Sequence, residues 1–454
     1  MSVTKPGFLT TTLLLVLFLA SGLRLTMVVL QSDQLQEDRD AYIAIARNLA
    51  AGHGFTSSRV AEGPDVEPTA FRPPLYPCLL AALYYVKAGA LGVGLMQVLL
   101  GALTVWFTWK TGLRLRMRVG ALVAAAIVAT DPVLLQYTSY AMTEVLSAFL
   151  TSLLLYMLVC QLTEEPGQPE PQNKASKTFV TGLVWGLAIL CRPTYLAFFG
   201  LWFLARLCGP VLKRVLKTQP AGFANRHLTY LSAGILIAVS PWLIRNLMVF
   251  HAPILTTTHG GYTLLLGNNP VFYQEVVLQP WGTVWSGESL DAWQKSLERD
   301  LENTVPPIKS EQERDRWMYQ RAKANIAAEP SLFVQSCLLR LRRFWNFSPL
   351  NSHLVESKPL IGWGIAGYYL LILTGTLGGC LLLIWKREPA WGSLFWLIVS
   401  FTVVHIFYWT NMRMRAPLVP AIALLSVYGW SKSADFLKFR KPTETREHDI
   451  RNTL

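Results

Sequence analysis

The chain alternates long apolar runs with shorter polar segments. A helix needs about 20 residues to cross the hydrocarbon core of a bilayer, and about ten of the runs reach or approach that length. Because lipid offers backbone groups no water, such runs must be helical, and the pattern predicts an all-α polytopic membrane protein. The predicted membrane helices are Phe8–Leu30, Leu91–Trp109, Val119–Tyr137, Met142–Leu162, Phe179–Cys191, Tyr195–Cys208, Leu228–Phe250, Ile361–Trp385, Trp391–Trp409 and Ala416–Trp430.

Prolines and run lengths decide the two ambiguous runs. Pro193 cannot continue a helix, so the run around it is predicted as a hairpin of two short helices. Leu75–Val86 is apolar but too short to cross a bilayer comfortably, and we expect it to lie in the outer interface.

Two polar segments divide the chain into regions. The first, 31–90, is predicted to hold a short helix at Ala41–Ala50 besides the interfacial one. The second, 251–360, is predicted to be mostly helical, with helices at Ser310–Ala328 and Ser331–Phe344. We therefore expect an N-terminal transmembrane module (1–250) that includes the first external loop, a large external loop (251–360), C-terminal transmembrane helices (361–432) and a cytoplasmic tail (433–454).

Charge placement gives the helices a direction. The chain is 52% hydrophobic and only 15% charged, with a formal net charge of +13, whereas soluble domains carry about 25% charged residues. A cytoplasmic N-terminus places the basic loops and tail inside, as the positive-inside rule requires, with the C-terminus inside as well. No stripe of basic residues interleaves with exposed aromatics, which argues against nucleic-acid binding. The residues that set this orientation are Lys110, Arg114, Arg116, Arg118, Lys213, Arg214, Lys217, Lys386, Arg387, Lys438, Arg440 and Lys441.

The six cysteines indicate neither a disulfide framework nor a zinc site, because no CxxC spacing occurs. Cys78 and Cys337 both fall in external segments of this topology, and a bridge between them is a weak alternative.

Five arginines lie at the external ends of helices, where the positive-inside rule does not explain them. A guanidinium at a membrane interface suits a phosphate, which it can bind through two parallel hydrogen bonds. The alternative is that each arginine extends to lipid headgroups. The five are Arg72, Arg192, Arg245, Arg413 and Arg415.

Three carboxylates fall on the same face. Asp38 and Asp40 follow the first helix, and Glu144 opens the fourth. A carboxylate beside phosphate-binding arginines could act as a general base, and near-membrane carboxylates are candidates for function. The alternatives are an N-cap role for Asp38 and a favourable first-turn charge for Glu144. Asp131, before Pro132, is interpreted as a helix-end turn residue.

Several motifs together resemble a known superfamily. They are Asp38-Arg-Asp-Ala-Tyr42 leading to Gly52-His-Gly54, Arg72-Pro-Pro-Leu-Tyr76-Pro77, Arg192-Pro193, Pro241-Trp-Leu-Ile-Arg245-Asn246, Gly260-Gly-Tyr262, Gly267-Asn268-Asn-Pro270 and Arg413-Met-Arg415-Ala-Pro417. In this order they resemble GT-C glycosyltransferases, especially the bacterial branch related to dolichyl-phosphate-mannose–protein mannosyltransferases and lipid A aminoarabinose transferases. The resemblance implies a GT-C-like bundle of membrane helices.

The resemblance also implies an activity and roles for residues. The donor would be a sugar on a polyprenyl phosphate of the undecaprenyl type, transferred with inversion by direct displacement on the periplasmic or extracellular face of the cell membrane. Asp38 would be the catalytic base, with Asp40 as runner-up and Glu144 as the second external acidic residue. The donor would contact Tyr42, Arg72, Arg192, Arg245, Asn246, Asn268, Arg413 and Arg415.

The resemblance leaves the acceptor open, because better-known members carry a larger C-terminal part or more helices. It could be a glycan, a lipid or a protein of the cell envelope. No cofactor is implied, and no tight ligand spacing indicates a metal, although the acidic residues leave a divalent ion open. The competing hypotheses are a transporter or flippase for a lipid-linked or anionic substrate, and a non-catalytic scaffold. Transporters tend to show paired halves, and the sequence shows no internal repeat.

Overall fold

The structure, a computed structural model, describes residues 6–57, 67–163, 173–216, 225–308, 310–350, 357–386 and 388–439. Within these ranges the chain is helical and holds no β-strand beyond an isolated bridge of Thr56 with Pro68. The helices are α1 Pro6–Leu30, α2 Tyr42–Ala50, α3 Leu75–Tyr85, α4 Gly89–Arg114, α5 Val119–Thr130, α6 Pro132–Tyr137, α7 Glu144–Leu162, α8 Lys174–Cys191, α9 Thr194–Leu216, α10 Asn225–Phe250, α11 Gly260–Leu266, α12 Pro270–Phe272, α13 Glu288–Glu302, α14 Glu311–Ala328, α15 Pro330–Phe344, α16 Pro359–Lys386, α17 Gly392–Phe407 and α18 Val419–Phe439.

Most predicted helices are confirmed, and six spans in the described part are long and apolar enough to cross a membrane: α4, α7, α17 with the three residues before it, and most of α1, α10 and α16. The chain is a multi-pass membrane protein, and the count of about ten spans remains a prediction. The break at Pro193 is confirmed, since α8 ends at Cys191 and α9 begins at Thr194. Residues 164–172, and residues 440–454 of the predicted tail, lie outside the described residues.

The predicted continuous helix Val119–Tyr137 is wrong, because the chain breaks at Asp131 into α5 and α6. The Asp131 carboxylate accepts a hydrogen bond from Leu134 N (2.9 Å) and starts α6. Arg24 of α1 is buried and donates to the carbonyl oxygens of Val128 (3.0 Å) and Ala129 (3.1 Å) at the end of α5. A cation at the C-terminus of one helix and an anion at the N-terminus of the next each interact favourably with the helix dipole.

Glycines bring the membrane helices into close contact. α8 packs against α10, where Gly182 faces Gly234 so closely that a Cβ on either would overlap backbone of the other helix. α16 and α18 meet in the same way at Gly379 and Gly429. In lipid, where apolar surface alone does not drive association, such close packing is a main source of helix–helix affinity.

The two polar segments predicted to be external form a second layer at one end of the bundle, which we name the external layer after that prediction. α13 and α14 enclose a separate hydrophobic cluster that includes Trp285 and Trp293. The Glu311 carboxylate of α14 fastens the two loops together, because it accepts hydrogen bonds from Ala70 N (3.0 Å) and Thr69 Oγ1 (2.6 Å) of the first loop and from Thr258 of the second. The C-terminal ends of α1 and α10 lead into this layer.

Candidate active site

Five charged side chains from five separate segments meet where the bundle joins the external layer. Two are carboxylates, Asp40 before α2 and Glu144 at the start of α7. Three are arginines: Arg72 before α3, Arg192 after α8, and Arg413 in the turn between α17 and α18. We call these five residues the charge cluster.

Glu144 is the most deeply buried member, with a side chain 1% exposed. Its Oε1 lies 2.7 Å from Arg192 Nη2, and Arg192 Nε donates to Thr143 Oγ1 at 3.0 Å. A buried carboxylate is tolerated only when it is paired, so this arginine and Glu144 hold each other in place.

Arg413 connects the two carboxylates. Its Nη2 lies 3.5 Å from Asp40 Oδ2, and its Nε lies 3.9 Å from Glu144 Oε1. Burial lowers the pKa of Arg413, but the Glu144 and Asp40 carboxylates outweigh it and raise the pKa above its usual value. Arg413 is therefore a permanent cation at the centre of the cluster.

Arg72 is held from three sides. Its Nη2 donates to Asp40 Oδ1 at 3.1 Å, and its guanidinium lies 5.5 Å from the centre of the Tyr42 ring. Its Nη1 lies 3.3 Å from His259 Nε2. Burial, and next the Arg72 charge, lower the pKa of His259 well below its usual value. His259 is thus neutral and accepts the Arg72 hydrogen bond at Nε2.

His259 was not identified from the sequence. The available signal was its position directly before the Gly260-Gly261-Tyr262 motif. The structure stacks its ring on Tyr262, with centroids 5.4 Å apart, and sets it edge-on to Phe71 at 4.3 Å.

The cluster keeps polar atoms without protein partners. Arg72 Nε, Arg413 Nε, Glu144 Oε2 and His259 Nδ1 are buried and have no hydrogen-bond partner among the described residues. Buried polar atoms are rarely left unpaired. Two guanidinium donors in this state make the cluster suited to an anionic ligand with several acceptor oxygens.

Asp38, predicted as the base, lies apart from the arginines of the cluster. Its carboxylate accepts hydrogen bonds from Ile43 N (3.1 Å) and Ala44 N (2.9 Å), the first free amides of α2. Ala41 takes a left-handed conformation (φ 61°), so the chain turns sharply between the two aspartates. Asp38 thus caps free amides of α2 from three residues before the N-cap position, which Ala41 occupies, whereas Asp40 belongs to the cluster.

Arg245 and Asn246 fasten loops rather than join the cluster. Arg245 donates to the carbonyl oxygens of Thr69 (2.9 Å) and Phe55 (3.0 Å), which ties the first external loop to α10. Asn246 is fully buried and donates to the Ile254 carbonyl at 2.8 Å. Backbone carbonyl groups thus accept from both side chains, and their contact with the donor remains a prediction.

Arg415 and Asn268 also lie elsewhere. Arg415 is 1% exposed and donates to the carbonyl oxygens of Phe344 (3.1 Å) and Asn346 (2.9 Å) after α15. Asn268 is fully buried, donates to the Phe407 carbonyl at 3.1 Å and accepts from Arg340. Both stabilise the junction of the second external loop with α17.

The remaining predictions concern cysteines and metals. Cys78 and Cys337 are both free thiols, so the bridge between them is not formed. Among the described residues, no group of three or more His, Cys, Asp or Glu side chains could hold a metal ion.

Comparison with known proteins finds one family model that matches part of the sequence, and similar solved structures. Residues 71–244 match the family model for dolichyl-phosphate-mannose-protein mannosyltransferase. The oligosaccharyltransferase from Archaeoglobus fulgidus is similar in structure. Its apo form gives a TM-score of 0.53 at 13% identity, over 96% of this chain and 51% of that chain. Its complex with an inhibitory peptide and a dolichol-phosphate gives 0.51 at 13%, over 96% and 52%.

The chain has the GT-C fold. This confirms the fold that the sequence motifs implied, and both the matched family and the similar structures are glycosyltransferases. The chain spans about half the length of the archaeal enzymes. The structure of ArnT from Cupriavidus metallidurans bound to undecaprenyl phosphate also matches, at 14% identity over 96% of this chain and 80% of the ArnT chain. Its TM-score of 0.40 adds nothing to the fold assignment. No curated protein matches the sequence.

Proposed function

We propose that this protein is a membrane glycosyltransferase that moves a sugar from a polyprenyl-phosphate donor to an acceptor at the external face. The observation that carries the proposal is the convergence of Arg72, Arg192 and Arg413 on the carboxylates of Asp40 and Glu144. The GT-C fold and the matched mannosyltransferase family support it, and the archaeal oligosaccharyltransferase was solved with a dolichol-phosphate. Nothing in this fold favours a transporter.

The charge of the cluster suits such a donor. Three arginines and two carboxylates leave one net positive charge. A sugar linked to a lipid through one phosphate is a phosphodiester with one negative charge, so its binding would neutralise the cluster. The unpartnered Nε atoms of Arg72 and Arg413 supply donors for its oxygens. Because the cluster lies at the ends of the membrane helices, a phosphate there can remain attached to a chain in the bilayer.

We assign the base to Asp40 rather than Asp38. The Asp38 oxygens are engaged by two amides of α2, whereas the Asp40 oxygens face arginines. Each Asp40 oxygen has a second lone pair besides the one that faces its arginine, so Asp40 would accept a hydrogen bond from the acceptor hydroxyl while Arg72 and Arg413 keep the carboxylate in position.

The reaction would be one displacement. The acceptor oxygen forms a bond to the anomeric carbon while the bond from that carbon to the phosphate oxygen breaks, which inverts the configuration. The acceptor proton passes to Asp40, and the leaving polyprenyl phosphate takes the bonding electrons as a second negative charge. Arginines fixed beside that oxygen stabilise the charge as it develops.

Charge placement at the opposite ends of the helices supports an external site. Arg114, Lys174 and Lys432 lie at the bundle end away from the cluster. The positive-inside rule assigns such an end to the cytoplasm. Both termini would then be cytoplasmic, and transfer would occur at the periplasmic or extracellular face.

Binding of a short-chain polyprenyl phosphate to protein in nanodiscs tests the donor site. Arg413→Gln is expected to weaken binding by about 10- to 100-fold, since hydrogen bonds between charged groups contribute about 1.5–3 kcal/mol. Arg321→Gln, which removes the same charge at an exposed position on α14, is the control and should bind as wild type. Equal binding by wild type and Arg413→Gln would place the phosphate elsewhere.

A further inference from the structure

An open groove of about 750 Å³ lies on the external layer beside the charge cluster. One wall is the solvent face of α13, and the other is formed by Tyr262 of α11. Besides Tyr262, Gln294 and Leu297, the lining holds three carboxylates and two cations, namely Asp291, Glu298, Glu302, Lys295 and Arg299.

Aromatic contacts connect the groove to the cluster. Tyr262 stacks on His259, whose Nε2 accepts from Arg72 at 3.3 Å. Tyr262 also contacts Phe71, the residue before Arg72, with centroids 6.3 Å apart. The groove therefore begins one side chain away from the arginine that holds Asp40.

The position of the groove suits the acceptor. In direct displacement the acceptor must approach the anomeric carbon from the side opposite the phosphate. A donor phosphate held at helix ends enters from the bilayer, so the acceptor arrives from the aqueous side, where Tyr262 lies.

The lining indicates the chemistry of the occupant. Gln294 Nε2 donates to the Tyr262 hydroxyl at 2.8 Å, which fixes the ring as a flat wall beside an amide. The remaining groups are carboxylates and cations that can donate to or accept from hydroxyls. Carboxylates outnumber cations three to two among the lining residues, which disfavours an anionic acceptor.

The same lining disfavours other classes of acceptor. A lipid chain requires a wall free of charges, whereas five of the eight lining residues are charged. A peptide bound by strand addition requires an exposed backbone edge, and the backbone of α13 is engaged within its own helix. A pyranose offers an apolar C–H face to the Tyr262 ring and hydroxyls to the polar groups around it.

Resting on the proposed transferase function, we infer that this groove binds a neutral sugar unit of the acceptor, with Tyr262 as its stacking platform and Gln294 as a hydroxyl contact. The acceptor would accordingly be a glycan or a glycosylated molecule.

Saturation-transfer NMR with protein in nanodiscs, free of sugar detergents, tests this inference. The probes are methyl α-mannopyranoside and methyl β-glucopyranoside, with glucose 6-phosphate as the anionic comparison. Transfer to the ring C–H protons of at least one methyl glycoside is expected, at several times the signal of glucose 6-phosphate. It should fall at least fivefold in Gln294→Ala and Tyr262→Leu, and stay unchanged in Gln320→Ala, an exposed glutamine on α14.

Gln294 is exposed, so its variant should fold even if Tyr262→Leu does not. Absence of transfer to both methyl glycosides, or transfer that persists in Gln294→Ala, would overturn the inference. Gln294→Ala should bind the polyprenyl phosphate within twofold of wild type. If the wild type did not bind the polyprenyl phosphate, the proposed function itself would be contradicted. Failure of the proposed function and failure of the groove inference are therefore distinguishable.

Discussion

Replacing Glu144 by Gln tests whether the buried ion pair holds the charge cluster together. Glu144 is 1% exposed and Arg192 12% exposed in their side chains, with their charged atoms 2.7 Å apart. Breaking a buried pair by removing one charge costs about 3–5 kcal/mol. Since Gln retains one acceptor oxygen for Arg192, we expect a loss near the lower limit, about 3 kcal/mol.

Thermal unfolding can be followed with a maleimide dye that reports buried thiols. In a variant that keeps Cys191 as its only cysteine, this thiol, beside Arg192 and 1% exposed, becomes reactive when the end of α8 opens. Glu144→Gln should lower the midpoint by several degrees. The control is Glu37→Gln, whose pair with Arg39 is also short, at 2.8 Å, but has side chains 54% and 39% exposed. Exposed pairs contribute at most about 1 kcal/mol, so the control should barely shift.

A polyprenyl phosphate should offset part of the loss. Ligand at 100 times its dissociation constant stabilises a protein by about 2.7 kcal/mol. Removing one carboxylate from the cluster raises its net charge from one positive to two, so the phosphate should stabilise the variant more than the wild type. The reasoning would be refuted if the unfolding midpoint of Glu144→Gln were no lower than that of Glu37→Gln. It would also be refuted if the polyprenyl phosphate left the loss of stability in Glu144→Gln unchanged.

Three further predictions address packing, pH and orientation. Gly182→Ala should destabilise the protein by about 1–3 kcal/mol because its Cβ would overlap α10. The control Gly200→Ala has open space around its Cβ and should not destabilise the protein. Equal thermal unfolding midpoints for the two variants would contradict the close contact. Burial raises the pKa of Asp315 to about 6 and outweighs the hydrogen bond from the Gly261 amide, which lowers it. The protonated side chain therefore contributes fully to the stability of the folded protein below pH about 4, and this contribution is lost as pH rises through about 6. Asp315→Asn should flatten the dependence of the unfolding midpoint on pH over that window, and an unchanged dependence would exclude Asp315 as its cause. In a cysteine-free background, an impermeant maleimide should label Asp300→Cys but not Glu170→Cys from outside, and the reverse would invert the topology.

The sequence predicted the helices well because their apolar runs leave few alternatives in lipid. It missed the break between α5 and α6, although Asp131-Pro132 is a local signal for a helix start. The carbonyl groups at the end of α5 are satisfied by Arg24, more than a hundred residues earlier. A local reading of the sequence could not provide that partner.

The candidate residues of the site were named from sequence, but their arrangement was not. Asp38 and Asp40 are two positions apart, as are Arg413 and Arg415. Only Asp40 of the first pair and only Arg413 of the second belong to the cluster. The turn at Ala41 separates the aspartates, and contacts with α15 withdraw Arg415. Such choices depend on tertiary packing, so motif positions alone could not decide them.

Sugar transfer by the two aspartate variants tests the central claim most directly. Purified protein is supplied with a short-chain polyprenyl-phosphate sugar and an acceptor, and the initial rate is measured for wild type, Asp40→Asn and Asp38→Asn. Asp38→Asn should lose about 1 kcal/mol of stability as a weakened cap but keep transfer within about tenfold. Asp40→Asn should remain folded and lose transfer by at least about 100-fold, in line with the loss of a general base. Full activity in Asp40→Asn, with transfer abolished in a folded Asp38→Asn, would return the base to Asp38 and contradict the site proposed for this chain.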